Sequence, residues 1–262
     1  MNAEYSLSQE GDSVMRTIIQ VREKAGGDLD SINRYISANP QDVRAYATKA
    51  TMLASDEEGL PKAIDFLRET ERKFGKNYLI SHLLGTMHEQ SGKREQGIKL
   101  LREAANLNPY CPESLVSLAT LLNRAGRFPE AKKAWEEILE VAPDLCHAWN
   151  GLARAEFNMG DLRRALNHTN AALITSEGTK AYDLILRNRP EIYLAMGNLE
   201  AAITDDQRIL SANFSEGMKG IIGHPEFLSQ RGKPDLAKEY IELAMQRIPG
   251  LQQLIAMVGG GR

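Results

Sequence analysis

The chain repeats itself every 34 residues, and that period restricts its fold more than any other property it has. Leu84, Gly85, Gly92, Gly97, Ala104 and Pro109 recur as Leu118, Ala119, Gly126, Ala131, Ile138 and Pro143, each pair 34 apart. A further step lands on Leu152, Ala153, Gly160, Ala165 and Ala172, and a step back lands on Ala50, Ala63, Leu67 and Thr70, with Gly59 displaced by one. Four units, 44–77, 78–111, 112–145 and 146–179, therefore keep one register. Two less regular units follow, marked by Gly197, Ala202 and Ile209 and then by Gly232, Ala237, Ala244 and Pro249. Ahead of them a shorter helix pair, residues 13–25 and 29–37, is predicted across Gly26-Gly27, with Pro40 closing it. Periods of this length mark stacked arrays, because one hairpin cannot bury its own apolar face and needs neighbours to do so.

Composition narrows the class further. Aromatic residues make up only 6% of the chain, while strong helix formers are abundant, so the repeated unit reads as helical. A net charge of -3 gives no electrostatic reason to expect nucleic acid or an anionic membrane as partner. No apolar run approaches the roughly 18 residues of a membrane span, and the opening MNAEYSLSQEGDSVMR lacks the basic and apolar regions of a secretion signal, so a cytoplasmic protein without membrane insertion is expected. Cys111 and Cys146, 35 residues apart, are read as inert thiols.

The recurrent positions resemble the tetratricopeptide repeat (TPR) family. Leu84-Gly85, Trp149 and Tyr193 match its helix A, Trp135 and the recurrent alanines match its helix B, and Pro109, Pro143 and Pro249 match the proline that ends helix B. The resemblance covers about residues 10 to 250. It implies an all-α, right-handed superhelical solenoid of antiparallel helix pairs, about seven hairpins in all. Residues 1–43 would cap the array, 44–179 would form four regular units, 180–249 two irregular ones, and 250–262 a C-terminal cap with a mobile glycine-rich tail. Each recurrent choice has a physical reason. Small residues let two helices approach closely, a glycine after helix A adopts the left-handed cap, and a proline cannot extend helix B.

Departures from the pattern carry expectations of their own. Pro190 and Pro225 fall inside helix A of the two irregular units, where shortened or bent helices are expected, the first starting near Lys180. Glu156 and Arg189 replace residues that should be apolar, which predicts a partly buried ion pair between them. Asp56-Glu57-Glu58 and Asp205-Asp206 read as solvated surface, His147 and His168 as surface groups, and His88, His224 and Trp135 as core.

No phosphate loop, dinucleotide fingerprint, zinc-protease helix, nucleophile elbow or paired-cysteine motif occurs, and His82 and His88, six apart, lie on different helix faces. The expectation is a non-enzyme with no cofactor and no metal. The resemblance implies that function resides on the concave wall formed by the A helices. There it places His82, Thr86, Glu89 and Gln90, then Val116, Thr120, Asn123 and Arg124, then His147, Asn150, Arg154, Phe157 and Asn158, and finally Arg187, Asn188 and Glu191. Arginines offer forks to carboxylates, and asparagines can pair with both N–H and C=O of an extended backbone. The family's carboxylate clamp for acidic chaperone tails, which has Lys and then Asn at its first two positions, is not reproduced: Asn150 and Arg154 stand there, Asn188 holds the next position, and Gly223 follows Lys219 where a second cation belongs. A protein-interaction scaffold or adaptor binding an extended, acidic peptide segment is the expected function. The alternatives are a homo-oligomeric platform built through the end units, to which Leu251, Leu254, Ile255, Met257 and Val258 would contribute, and a helical-repeat RNA binder, which the acidic balance disfavours.

Overall fold

The computed structural model describes residues 13–55 and 58–259, and among them there are sixteen helices and no strand. Two compact units divide the chain, Met1–Pro143 and Asp144–Arg262.

In the first unit the helices are α1 (Val14–Ala25), α2 (Leu29–Ala38), α3 (Val43–Leu53), α4 (Gly59–Phe74), α5 (Tyr78–Gln90), α6 (Arg94–Leu107), α7 (Pro112–Arg124) and α8 (Phe128–Val141). Consecutive helices pair as hairpins, and the first members touch in series, α1 on α3, α3 on α5 and α5 on α7. Ser13, Asp28, Asp42 and Asn77 cap helix N-termini through their side-chain oxygens, which fixes where these helices start. Gly92 and Gly126 turn the chain between paired helices at φ 76° and 74°, the left-handed region that costs a glycine little. Gly85 and Gly97 set how closely α5 and α6 approach: a Cβ on Gly97 would stand 2.9 Å from the Gly85 carbonyl oxygen. The core joins Ile18, Leu67, Leu79, Ile80, Leu84 and Met87. One tie crosses the whole unit. The carboxylate of Glu113 on α7 accepts hydrogen bonds from the Ser13 hydroxyl and, at 2.7 Å, from the Val14 N–H, so that it caps α1.

The second unit holds α9 (Cys146–Asn158), α10 (Leu162–Thr175), α11 (Lys180–Leu186), α12 (Arg189–Met196), α13 (Leu199–Ala212), α14 (Phe214–Gln230), α15 (Pro234–Arg247) and α16 (Leu251–Gly259). Pro190 enters at the first turn of α12, and the expected helix from Lys180 is accordingly broken into α11 and α12. Pro225 behaves otherwise. It lies inside α14, which runs on for 17 residues, because Met218, Ile221, His224 and Leu228 on either side of it are buried and hold one face on the core. Between α13 and α14 the approach is tighter still, since a Cβ on Gly217 would stand 2.4 Å from the Leu210 Cα. Leu251 of α16 is buried and Leu254 and Ile255 pack against the same core as Tyr240 and Ala244. Asp56, Glu57 and the tail residues Gly260, Gly261 and Arg262 lie outside the described residues, as do the side chains of Met257 and Val258; Gly259 ends α16.

Candidate partner-binding surface

Burial divides the concave candidates of the first unit. Thr86, Glu89, Val116 and Thr120 are half-buried and Gln90 and Arg124 exposed. His82 and Asn123, expected on the open wall, are instead buried, at 7% and 9% exposure. His82 is covered because its Nδ1 lies 3.0 Å from the Ser114 hydroxyl on α7, and burial pushes its pKa down while nearby Glu113 pulls it back up. Arg124 is already engaged: its guanidinium lies 2.6 Å from the Glu89 carboxylate, one turret of the wall bound to the next.

The second unit brings more of its candidates together. Asn188, in the break before α12, donates to the Asn150 side-chain oxygen on α9 at 3.0 Å, and Asn158 donates to the Arg154 carbonyl at 2.8 Å. Phe157 stacks on Phe227 of α14 with ring centroids 6.4 Å apart and planes 17° from parallel. The Arg231 guanidinium sits 4.7 Å from one ring centroid and 4.6 Å from the other, capping the pair. Arg187 pairs with Glu216, whose second oxygen takes Lys219 at 2.9 Å. These two hydrogen-bonded cations, Lys219 first, hold the Glu216 carboxyl below the ordinary carboxylate range. Beside them opens a groove of about 260 Å³, with Arg187, Glu191, Glu216 and Phe227 around it and Asp206 and His224 in its floor.

That floor corrects the reading of Asp205-Asp206 as solvated, since the two are 2% and 1% exposed. Asp206 accepts the Tyr240 hydroxyl at 2.6 Å, and the His224 Nδ1 lies 3.2 Å from Asp206 and 3.1 Å from Tyr240. Burial, then the Asp206 charge, raise the Tyr240 phenol far above its ordinary pKa, so it stays a donor. Asp205 turns to the other side and takes both forks of Arg189 at 2.7 Å, while Asn170 accepts from the same guanidinium at 2.8 Å. The expected Glu156–Arg189 pair is therefore not formed. Glu156, 1% exposed, instead meets His168 at 2.6 Å, which removes His168 from the open surface and sets it against Trp149. His147 is exposed as expected, Trp135 and His88 are buried, and both cysteines are free.

Phe227, Arg231, Asp206 and His224 were not among the groove residues read from the repeat. Pro225 obscures the register in this segment, and the four-residue spacing of Phe227 and Arg231 was the only signal available.

No family model and no curated protein matches the chain. Solved structures do. MamA from Desulfovibrio magneticus RS-1, residues 41 to its end, superposes with a TM-score of 0.60 at 12% identity over 67% of this chain and 97% of that one. A tetratricopeptide repeat protein from Parabacteroides merdae gives 0.62 at 16% identity over 92% and 98%. YrrB, described as a TPR protein with an unusual peptide-binding site, gives 0.59 at 16% identity over 73% and 98%. The fold is thus that of an all-α helical-repeat protein. More narrowly, it is TPR-like. No helix among the described residues is long and apolar enough to cross a membrane.

Proposed function

We propose that this chain is a non-enzymatic, cytoplasmic protein-interaction scaffold that binds an extended peptide segment of a partner along the second unit, with an acidic residue of that peptide held by Arg154 and Arg231. One observation carries the reading. Arg124, Arg187 and Lys219 are each spent on a carboxylate of this chain, whereas Arg154 and Arg231 are exposed with no carboxylate partner among the described residues; Arg231 lies over Phe157, and Arg154 is three residues before that phenylalanine on α9. A guanidinium held over aromatic rings keeps its N–H donors for a carboxylate and loses less side-chain freedom on binding than a free one. The Asn150–Asn188 pair adds backbone recognition: the one hydrogen bond between them leaves an amide donor on Asn150 and a carbonyl acceptor on Asn188, the two groups that an extended peptide needs. Two free thiols fit a reducing compartment.

Selection of random dodecamer peptides displayed on phage against the full chain tests this reading. Enriched peptides should carry Asp or Glu and should bind the Arg154→Glu, Arg231→Glu double variant about tenfold or more weakly, a loss equivalent to one charge-assisted contact. Equal binding to a variant with unchanged circular dichroism refutes it. A second reading, self-association through the C-terminal end, has Ile241 and Met245 in its favour; they lie four apart on α15 and are 43% and 39% exposed. Sedimentation showing a dimer that Ile241→Lys dissolves would favour that reading.

A further inference from the structure

We infer that the pocket floored by His224 and Asp206 takes a single lysine or arginine side chain of the peptide bound by the groove, a basic anchor set beside the acidic contacts. The inference rests on the peptide-binding reading and assigns it a second, oppositely charged specificity.

Proton bookkeeping in the buried triad carries the argument. The Tyr240 hydroxyl gives its proton to Asp206 at 2.6 Å, and the carboxylate can only accept. The His224 Nδ1, 3.2 Å from Asp206 and 3.1 Å from the tyrosine oxygen, must then be the protonated nitrogen, because both neighbours can take a proton from it and neither has one to offer. In the neutral ring this leaves Nε2 as a bare acceptor. His224 is only 5% exposed, yet its Nε2 has no partner among the described residues, and neither does Oδ1 of Asp206. Both atoms keep some contact with solvent, so water meets them in the free chain and an entering donor can take its place.

Both open acceptors face the same space. A Cβ built on Gly220 would stand 3.8 Å from Nε2, 3.6 Å from Cε1 and 3.7 Å from Oδ1, so the missing side chain at this position is what uncovers them. Gly220 has no packing reason to be glycine. Gly217, one turn earlier, is pressed on the Leu210 backbone, whereas a methyl at Gly220 would meet only ordinary contacts. A glycine inside a helix disfavours that helix relative to alanine, and here the gain is access to the floor.

Two acceptors on the floor call for a donor-rich group, and the charge of the walls selects a cation. Glu191, Asp206 and Glu216 stand against Arg187 and Lys219, three carboxylates to two cations, and Glu216 is already shared by both. Ile209 and Phe227 supply apolar wall for the methylene stem of a long basic side chain. A volume of about 260 Å³ lies just under the range of small-molecule sites, which suits one side chain.

The probe is N-acetyl-arginine methylamide, titrated into the ¹³C-labelled full chain while the Cε1–H signal of His224 is followed by NMR and assigned by its loss in His224→Gln. A saturable shift is expected, about tenfold weaker with the neutral citrulline analogue, absent with the glutamate analogue, and lost in Gly220→Ala. That variant should fold at least as well as the parent, so its loss of binding reports the site and not the fold. No shift with the arginine or lysine derivative, equal titration by citrulline, or unchanged binding in Gly220→Ala each overturns the inference. In the phage selection, Lys or Arg should be enriched at one fixed peptide position and lose its advantage against Gly220→Ala. Acidic peptides enriched without such a position refute the anchor and leave the groove standing; a saturable arginine titration with no enriched peptide refutes the groove and leaves the pocket.

Discussion

Replacing Arg189 by methionine should be among the most damaging single changes in the second unit, and the size of the effect follows from what it leaves behind. The side chains of Arg189 and Asp205 are 15% and 3% exposed, joined by two bonds of 2.7 Å. At about 4 Å between charges and an effective dielectric near 20, their attraction is of order 4 kcal/mol, most of which offsets the cost of taking both from water. Removing the cation leaves the desolvated carboxylate with no compensation, and breaking one side of such a pair costs about 3–5 kcal/mol. Asn170 loses its donor as well. The double variant Arg189→Met, Asp205→Leu removes both charges together and should recover to within about 1.5 kcal/mol of the parent. Urea unfolding supplies the free energies, and amide exchange tells whether protection is lost first along α12 and α13, since an array need not unfold as one unit. A single variant costing less than about 1 kcal/mol, or a double variant worse than the two singles added, would refute the reasoning that the pair is a buried tether.

The other predictions are separable from this one. Gly217→Ala gains helix propensity yet should destabilise by about 1–3 kcal/mol, because its Cβ would strike the Leu210 backbone at 2.4–2.6 Å where no rotamer change can relieve it; thermal unfolding above the parent temperature would contradict the packing. His82 and His88 both have pKa values lowered mainly by burial, so the unfolded chain binds protons that the folded one refuses. Stability should therefore hold above the unfolded value near 6.5 and fall as pH drops through it, by at most about 1.4 kcal/mol per unit for each histidine. A flat profile between pH 7 and 5.5, or one unaltered by His88→Phe, counts against it. Glu113→Gln weakens the cap that α7 places on α1 by about 1 kcal/mol and should speed amide exchange in the first turn of α1 alone.

Everything that repeats at a fixed period was legible in the sequence: the helices of the regular units, the glycine turns at Gly92, Gly126 and Gly160, and the start of α11 at Lys180. These rest on local chemistry, a cap or a φ angle, which neighbouring residues specify. Burial of polar residues was legible where the repeat reserves a packing position, as at His88 and His224, and not at His82 or Asp206, where it depends on which helix arrives opposite. His82 reads as wall by its register, and only Ser114, 32 residues on, takes it inside. Pro225 signals a stop by its own chemistry, yet the apolar face around it overrides that signal. Of the binding candidates, Asn150, Arg154, Phe157, Arg187, Asn188 and Glu191 remain half-buried or exposed in the second unit, but the residues that give the groove its floor come from α13 and α14 through tertiary contact.

The two adjacent aspartates on α13 explain why the irregular part of the chain is also the part with a site. Where Pro190 breaks the first helix of its hairpin, two short helices, α11 of 7 residues and α12 of 8, stand in place of one continuous helix such as the 13-residue α9. Charge ties the second of these short helices to α13 through Arg189 and Asp205. Successive helical residues point about 100° apart, so Asp205 reaches back to Arg189 on α12 while Asp206 reaches forward to His224 on α14 and Tyr240 on α15. A tether of this kind differs from apolar packing in one respect: it has unused valence. A leucine at either position would close its neighbourhood, whereas a carboxylate with one oxygen bound leaves the other available. Asp205 uses both of its oxygens on one guanidinium and is purely structural. Asp206 uses one, and the second opens under Gly220. Asp206→Asn should thus weaken the arginine titration more than it weakens folding, while Asp205→Asn should do the reverse; the same ranking in both assays would mean that the two aspartates share a single, structural role.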